Sequence, residues 1–153
     1  MPDACTQHFG VLPYQEDEVL LFPDGLPGFE NERSFLLVQQ PATRPLLFLQ
    51  SLSRPDLCFI SLPILVVDPG YQTSITPEDL ARLDLPVDRQ PRIGPDVLCL
   101  ALISIRENEF PTANLLAPVV VNLRARKAVQ AIQEIGYSHQ FPVGAVAGEA
   151  TCL

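Results

Sequence analysis

The chain has 153 residues, the length of one ordinary domain, and 47% of them are hydrophobic. Its longest apolar run, LCLALISI at residues 98–105, is much shorter than the roughly 20 residues that cross a membrane as a helix. The first ten residues lack the basic start and apolar middle of a signal peptide. We therefore predict a single cytoplasmic domain, with a core over residues 6–142 and a flexible tail over residues 143–153. Nothing in the sequence demands more than a monomer.

The net charge is −8, and most of it comes from one end of the chain. Seven of the 18 acidic residues lie in residues 1–32, which contain no Lys or Arg. The other 11 acidic residues are nearly balanced by 10 basic ones. This distribution disfavours direct binding of nucleic acid, because phosphate affinity comes from clustered Lys and Arg. Either the acidic region attracts a basic partner, or it only keeps the surface soluble.

The 16 prolines divide the chain into short apolar runs that are rich in Val, Ile, Leu and Phe. Such runs, bounded by Pro, Gly, Asp or Asn, are typical of short strands joined by turns. We predict an all-β fold, small, barrel-like and antiparallel, with one short helix near residues 76–83. The predicted strands are residues 19–22, 35–38, 46–49, 57–62, 64–67, 97–105 and 118–123.

The first distinctive motif is FPDGLPGFE at residues 22–30, where two Pro and two Gly predict consecutive turns. It is either a stiff connection between strands or a rigid platform that presents Glu30 and nearby acidic residues. The residues that we expect to set its geometry are Phe22, Gly25, Leu26, Gly28 and Phe29.

The helix signal at residues 76–83 is local and specific. Thr76 suits the N-cap, Pro77 suits the first helical position, and Glu78 and Asp79 suit the first turn. We expect about two helical turns there.

The second motif is FPTANLLAPVVVN at residues 110–122. Asn114 and Asn122 are expected to hold turn geometry by bonding the backbone. Pro118 suggests the first position of a strand or an edge strand. An exposed edge is also a place where a partner strand can add.

Residues 125–135 (ARKAVQAIQEI) have the composition of a helix, but apolar residues alternate there and a strand-like run precedes them. We favour a hairpin. The last nine residues of the predicted tail are small or polar, as is typical of a flexible terminus.

Patterns for catalysis and metal binding are missing from the sequence. The 4 Cys fit no metal spacing; Cys58 and Cys99 lie in apolar runs and are expected to be buried thiols, whereas Cys5 and Cys152 lie near the chain ends. The 2 His have no neighbouring ligands in metal spacing, and no nucleophile or phosphate-loop motif is present. We expect no enzyme activity, cofactor or metal.

The order of several segments resembles the FliW family of flagellar assembly factors, over about residues 6–142. FPDGLPGFE and NLLAPVVVN are the most specific of these segments. The matching segments are HFG (8–10), VLLFPDGLPGFE (19–30), FLLV (35–38), FLQSL (48–52), PDLCFIS (55–61), VDPGY (67–71) and TANLLAPVVVN (112–122).

The resemblance implies a cytoplasmic, non-catalytic, barrel-like protein with two competing partners. One is flagellin, which is bound before export. The other is CsrA, a small basic RNA-binding regulator that represses flagellin translation and that FliW proteins antagonise. The candidate residues for the basic partner are Glu16, Asp17, Glu18, Glu30 and Glu32.

One departure from the family concerns Ala128, where the family often has a Gly in the turn after the second motif. The Ala suggests a shifted turn, because only Gly enters positive φ freely. A small-molecule-binding barrel and an uncharacterised interaction module remain as alternatives, although the sequence offers no cluster of polar groups for a ligand.

Overall fold

The structure is a computed structural model that describes residues 2–134 and 136–143. It is built mainly of strands, with two short α-helices and two single turns of 3-10 helix (Glu16–Glu18 and Pro41–Thr43) among these residues. The strands are β1 Asp3–Thr6, β2 Gly10–Pro13, β3 Leu20–Leu21, β4 Ser34–Val38, β5 Leu47–Ser51, β6 Cys58–Pro63, β7 Leu98–Ser104, β8 Thr112–Asn122, β9 Lys127–Gln130 and β10 Phe141–Pro142; the helices are α1 Ile64–Val67 and α2 Pro77–Arg82.

Seven strands, β3 to β9, form a closed barrel. Their order is β8–β7–β6–β5–β4–β3–β9, and β9 pairs back with β8. The pairs are antiparallel except for β3 with β9, which meet in parallel through Leu21 and Lys127. β10 adds to β8 outside the ring. The predicted all-β, barrel-like fold is confirmed.

The barrel interior is filled with apolar side chains from alternate residues of each strand. Leu98 and Leu100 of β7 point inward, as do Val119 and Val121 of β8, because successive side chains of a strand face opposite sides. The rings of Phe22 and Phe35 meet edge to face at 5.1 Å. The other interior residues are Leu20, Leu26, Phe29, Leu37, Leu47, Leu49, Leu57, Phe59, Leu102 and Ala128.

A second core lies on the outer face of β7, β8 and β9, under the segment that contains both helices. Cys99 and Ala101 of β7 and Val120 of β8 face this layer and are buried. Because both faces are covered, residues 98–103 of β7 and 119–121 of β8 read as continuous apolar runs rather than as alternating ones. From the covering segment come Ile64, Val67, Tyr71, Ile75, Leu80, Leu83, Leu85, Ile93 and Val97.

The β1–β2 hairpin lies on the outer face of β4 and β5. Ala4 is buried, and the ring of Phe9 meets Phe48 of β5 edge to face at 5.3 Å. The N–H of Gln7 donates to the carbonyl oxygen of Pro55 at 2.9 Å. The N-terminal residues therefore cover the barrel wall.

The predicted strand at residues 64–67 is wrong, because these residues form the single turn of α1. The N–H of Asp68 donates to the carbonyl of Ile64 at 2.9 Å and closes the turn. Ile64 is buried, while Leu65 and Val66 are partly exposed. A run of four apolar residues does not distinguish a strand from one helical turn by its periodicity.

The predicted helix near residues 76–83 is confirmed as α2. Thr76 is its N-cap, since its hydroxyl oxygen accepts the N–H of Asp79 at 3.2 Å. Residues 125–135 contain the turn after β8 and then β9, so the favoured hairpin is the observed structure. The turn residue with positive φ is Arg126, at 56°, whereas Ala128 lies buried within β9.

The remaining predictions concern the tail and the thiols. Val143 is buried, and its N–H donates to the carbonyl of Pro111 at 3.0 Å; residues 144–153, which include Cys152, lie outside the described residues. Cys99 is buried as expected, whereas Cys58 is only half-buried and Cys5 is exposed.

Replacing Phe35 tests the barrel core. Phe35 is completely buried between the rings of Phe22 and Phe59. We expect Phe35→Ala to lower the free energy of unfolding by about 3–5 kcal/mol through lost burial and a residual cavity. The matched control is Phe110→Ala, because Phe110 is 79% exposed and its loss should change stability little. Denaturant unfolding of both variants gives the comparison, and equal losses would contradict the packing.

Thiol labelling tests the outer core. Burial raises the pKa of Cys58 to about 11 and that of Cys99 to about 12, so both thiols stay neutral at pH 8. In a Cys152→Ser background, we expect a disulfide reagent at pH 8 to label Cys5 quickly, Cys58 slowly and Cys99 only on unfolding. Raising the pH from 8 towards 11 should accelerate labelling of Cys58 before Cys99. Rapid labelling of Cys99 in the folded protein at pH 8 would contradict this prediction.

Candidate protein-binding surface

The loop over residues 22–30 is fixed by its own backbone hydrogen bonds. The N–H of Phe22 donates to the carbonyl of Arg33 at 2.7 Å and closes its base. Leu26 and Phe29 exchange two backbone hydrogen bonds, at 2.7 and 3.5 Å, and so form the second turn. Gly25 has a φ of 67°, and a Cβ there would lie 2.7 Å from the Cα of Glu30. Only Gly fits at this position, because its φ is positive and because there is no room for a Cβ.

The side chains of this loop attach it to the barrel. Phe22 and Leu26 are buried in the interior core. Phe29 is half-buried, with its ring edge to face with Phe59 at 5.5 Å, and the guanidinium of Arg54 lies 5.9 Å from the ring centroid. The loop therefore holds its shape without a partner.

Three of the predicted acidic candidates lie before β3. Glu16, Asp17 and Glu18 form a single turn of 3-10 helix, and all three are exposed. The backbone N–H of Gln15 donates to Oε1 of Glu18 at 2.7 Å, which fixes that side chain at the start of the turn. We refer to these three residues as the acidic turn.

The other two acidic candidates lie beyond the opposite end of β3. Glu30 borders a groove of about 230 Å³ together with Asp24, Asp79 and Arg82. Glu32 accepts hydrogen bonds from the hydroxyls of two serines in the β5–β6 hairpin. The five candidates therefore do not form one patch, because β3 separates the acidic turn from the loop that carries Glu30 and Glu32.

None of the five candidates forms an ion pair with a basic side chain among the described residues. The ion pairs of the described residues use aspartates only, namely Asp24 and Asp79 with Arg82, Asp56 with Arg54, Asp84 with Lys127, and Asp96 with Arg92. Exposed carboxylates without an internal cation are available to attract a basic partner.

Asn114 holds an irregularity within β8. Its Oδ1 accepts the N–H groups of Leu116 and Ala117 at 3.1 and 3.0 Å. At this point residues 115–118 of β8 stand opposite Ala101 alone, which produces a bulge in the ladder with β7. The side chain thus replaces the backbone partners that the bulge removes.

Asn122 links the hairpin turn to the helical layer. Its Oδ1 accepts the N–H groups of Arg124 and Ala125 at 3.2 and 3.5 Å, and its Nδ2 donates to the carbonyl of Leu83 at 2.7 Å. Asn122 is buried, so these bonds are shielded from water.

The expectation that Pro118 marks a strand start or an edge is wrong. Pro118 lies buried within β8, which pairs with β7 on one side and with β9 and β10 on the other. The bulge explains its presence in a central strand, since a bulge tolerates a missing N–H. Its carbonyl still accepts the N–H of Ala131 at 2.8 Å.

Sequence reasoning missed Gln50, which is completely buried on β5. Its Nε2 reaches the carbonyl oxygens of Ser51, Pro55 and Leu57 at 3.0, 3.3 and 3.2 Å and so organises the β5–β6 hairpin. The available signal was a single Gln inside the apolar run FLQSL.

The described residues hold no cluster of three or more His, Cys, Asp or Glu placed to bind a metal ion. None of the helices among them is both long and apolar enough to cross a membrane. A groove of about 420 Å³ lies on the surface between residues 84–96 and the β8–β9 turn.

The fold and its surface define a class: small closed β-barrels with a filled interior, whose outer faces are covered by a helical layer and an N-terminal hairpin. The chain belongs to the FliW family, since the sequence profile described as "FliW protein" matches residues 3–143.

Individual relatives agree with this assignment. The flagellar assembly factor FliW of Bacillus licheniformis is 34% identical over 149 residues, which cover 95% of this chain and 96% of the relative. That of Syntrophomonas wolfei is 34% identical over 125 residues, covering 80% and 76%. A crystal structure of the flagellar assembly factor FliW superposes with a TM-score of 0.79 at 26% identity, covering 92% of this chain and 96% of that one.

Two glycines of the loop provide a matched test of its geometry. Gly25 and Gly28 both have positive φ, but a Cβ on Gly25 meets the backbone of Glu30, whereas a Cβ on Gly28 meets open space. We expect Gly28→Ala to cost about 1 kcal/mol from its φ alone and Gly25→Ala to cost more than about 2 kcal/mol. Thermal and denaturant unfolding measure both costs, and a Gly25→Ala cost no greater than that of Gly28→Ala would refute the close approach.

Proposed function

We propose that this chain is a cytoplasmic, non-enzymatic flagellar assembly factor that binds flagellin and also binds and antagonises CsrA. The observation that carries the proposal is membership of the FliW family over almost the whole chain. The curated relatives are named as flagellar assembly factors. The rigid loop, and the acidic residues that form no ion pair with a described residue, suit a role in protein binding.

The proposed mechanism is a competition between two binding equilibria. While flagellin is abundant in the cytoplasm, it occupies this protein. When flagellin is exported, the freed protein captures CsrA and relieves repression of flagellin translation. Such a switch needs no chemistry, only two partners that exclude one another and differ in concentration with time.

The charge of the acidic turn supports its assignment as a binding site for the basic partner. Its three carboxylates are exposed and are free of ion pairs with described residues. Charges of this kind act mainly by accelerating encounter with a basic protein, and salt weakens their effect. Glu30 and Glu32 remain proposed contacts for the basic partner. Because they lie apart from the acidic turn, their contribution to binding is separate from that of the turn.

The test of the function is calorimetric titration of the protein with CsrA and with flagellin from the same organism, each at two salt concentrations. We expect micromolar or tighter binding to each partner, with only the CsrA affinity falling strongly as salt rises. Flagellin added first should prevent the heat of CsrA binding. A folded protein that gives no heat with either partner would refute the proposal.

The acidic turn has its own test in a charge-neutralised variant. We expect Glu16→Gln/Asp17→Asn/Glu18→Gln to weaken CsrA binding about tenfold at low salt and to reduce its salt dependence. The control is Asp88→Asn/Glu107→Gln/Glu109→Gln, which removes the same charge from exposed residues elsewhere. Equal affinities for the two variants would show that only total charge matters and would remove the acidic turn from the interface. The variants Glu30→Gln and Glu32→Gln test the contribution of these two residues to CsrA binding in the same titration.

A further inference from the structure

The shortness of β3 leaves part of β4 without a neighbour. β3 pairs only with Ser34 and Phe35, whereas β5 pairs with β4 as far as Val38. Past Phe35, no strand among residues 2–134 and 136–143 lies on the β3 side of β4. Two or three residues of an edge are therefore open inside an otherwise closed barrel.

The hydrogen-bond alternation of the ladder identifies the open groups. The carbonyl of Ser34 accepts the N–H of Leu52 on the β5 side, at 3.0 Å, and the carbonyl of Arg33 accepts from Phe22 on the β3 side. Because successive residues of an antiparallel strand bond to opposite sides, Leu37 directs its N–H and C=O groups to the side that β3 leaves empty. Continuation of this alternation past Val38, the last residue of β4, gives Gln39 the same orientation. Unpaired strand edges of this kind are templates for an added strand.

The acidic turn keeps this edge open. In the register of β3 with β4, an extended chain would place Glu18 opposite Leu37. Instead the chain curls, with the N–H of Glu18 donating to Gln15 and that of Val19 donating to Glu16, at 3.0 and 3.3 Å. A groove of about 220 Å³ results, lined by residues 36–39, by residues 12–14 of the N-terminal hairpin and by Glu18 and Arg126.

Arg126, which lines the same groove, carries an unsatisfied donor. Among the described residues, the buried Nε of Arg126 has no hydrogen-bond partner, while its Nη2 donates to the carbonyl of Glu18. A buried donor without an acceptor costs free energy until an acceptor arrives. An added strand offers carbonyl acceptors to this donor once the guanidinium turns into the groove.

We propose that an extended segment of the basic partner, CsrA, adds to β4 in this groove as an extra strand. Its backbone pairs with Leu37 and Gln39, and one of its carbonyls accepts from Nε of Arg126. Alternate side chains contact the apolar wall of residues 12–14, and a Lys or Arg at one end meets the acidic turn. Backbone pairing provides affinity in such complexes, and side-chain contacts provide specificity. The choice of a basic segment rests on the proposed function and on the charge of the acidic turn.

Amide hydrogen exchange measured by NMR tests the edge directly. The probe is a capped five-residue peptide of alternating Val and Thr that begins with two Lys, and the control peptide carries Glu at those two positions. We expect the Lys peptide at millimolar concentration to slow exchange of the Leu37 and Gln39 amides at least threefold, and the Glu peptide to leave it unchanged. Protection elsewhere, or no protection by either peptide, would overturn the proposal.

Repeating the exchange measurement with CsrA separates this inference from the proposed function. CsrA that binds without protecting Leu37 and Gln39 overturns the strand addition and leaves the function intact. If the Lys peptide protects these amides but CsrA does not bind, strand addition in the groove is supported and CsrA is ruled out as the partner.

A backbone variant adds a second readout. Gln39 is exposed, so Gln39→Pro removes one N–H from the edge with little loss of packing, and Gln39→Ala keeps that N–H. We expect only the Pro variant to lose peptide binding, by about tenfold. If the amide spectrum shows that the Pro variant is misfolded, the wild-type exchange measurement alone decides.

Discussion

Closure of the barrel depends on β3, a strand of two residues that pairs with β4 on one side and with β9 on the other. The N–H of Leu21 donates to the carbonyl of Arg126 at 2.9 Å, and this bond joins β3 to the start of β9. Arg126 adopts the left-handed conformation there, which turns the chain from β8 into β9. The ion pair of Lys127 with Asp84, at 3.0 Å, supports the same corner from outside. Both candidate acidic regions take their positions from this strand, since one precedes it and the other follows it.

Much of the fold could be predicted from the sequence because strand runs and turn residues are local signals. The helix at Thr76 was predictable from its cap, and the hairpin after Asn122 was predictable from the alternation in β9. The strand expected at residues 64–67 failed because four apolar residues fit a helical turn equally well. Pro118 was misplaced because the bulge that admits a proline to a central strand depends on the register with β7, which one sequence does not reveal.

The candidate surface was less predictable than the fold. The geometry of the loop at residues 22–30 follows from its own Pro and Gly residues. In contrast, the separation of Glu18 from Glu30 depends on how β3 lies against β4, a tertiary contact. Gln50 was missed for the same reason, since its partners come from the hairpin that folds over it. Charge counts along a chain therefore identify acidic residues without showing which of them share a surface.

The two sides of the barrel differ in how completely they are built. β7, β8 and β9 are buried on both faces, so their strands gain the largest share of apolar burial and form the stable side. On the opposite side, β3 contributes two residues, so no strand among the described residues pairs with this side of β4 past Phe35. Regions with few buried contacts and open hydrogen-bonding groups open most easily, and binding surfaces are drawn from such regions. The stability of the doubly covered strands thus allows the protein to keep an incomplete edge beside its acidic turn.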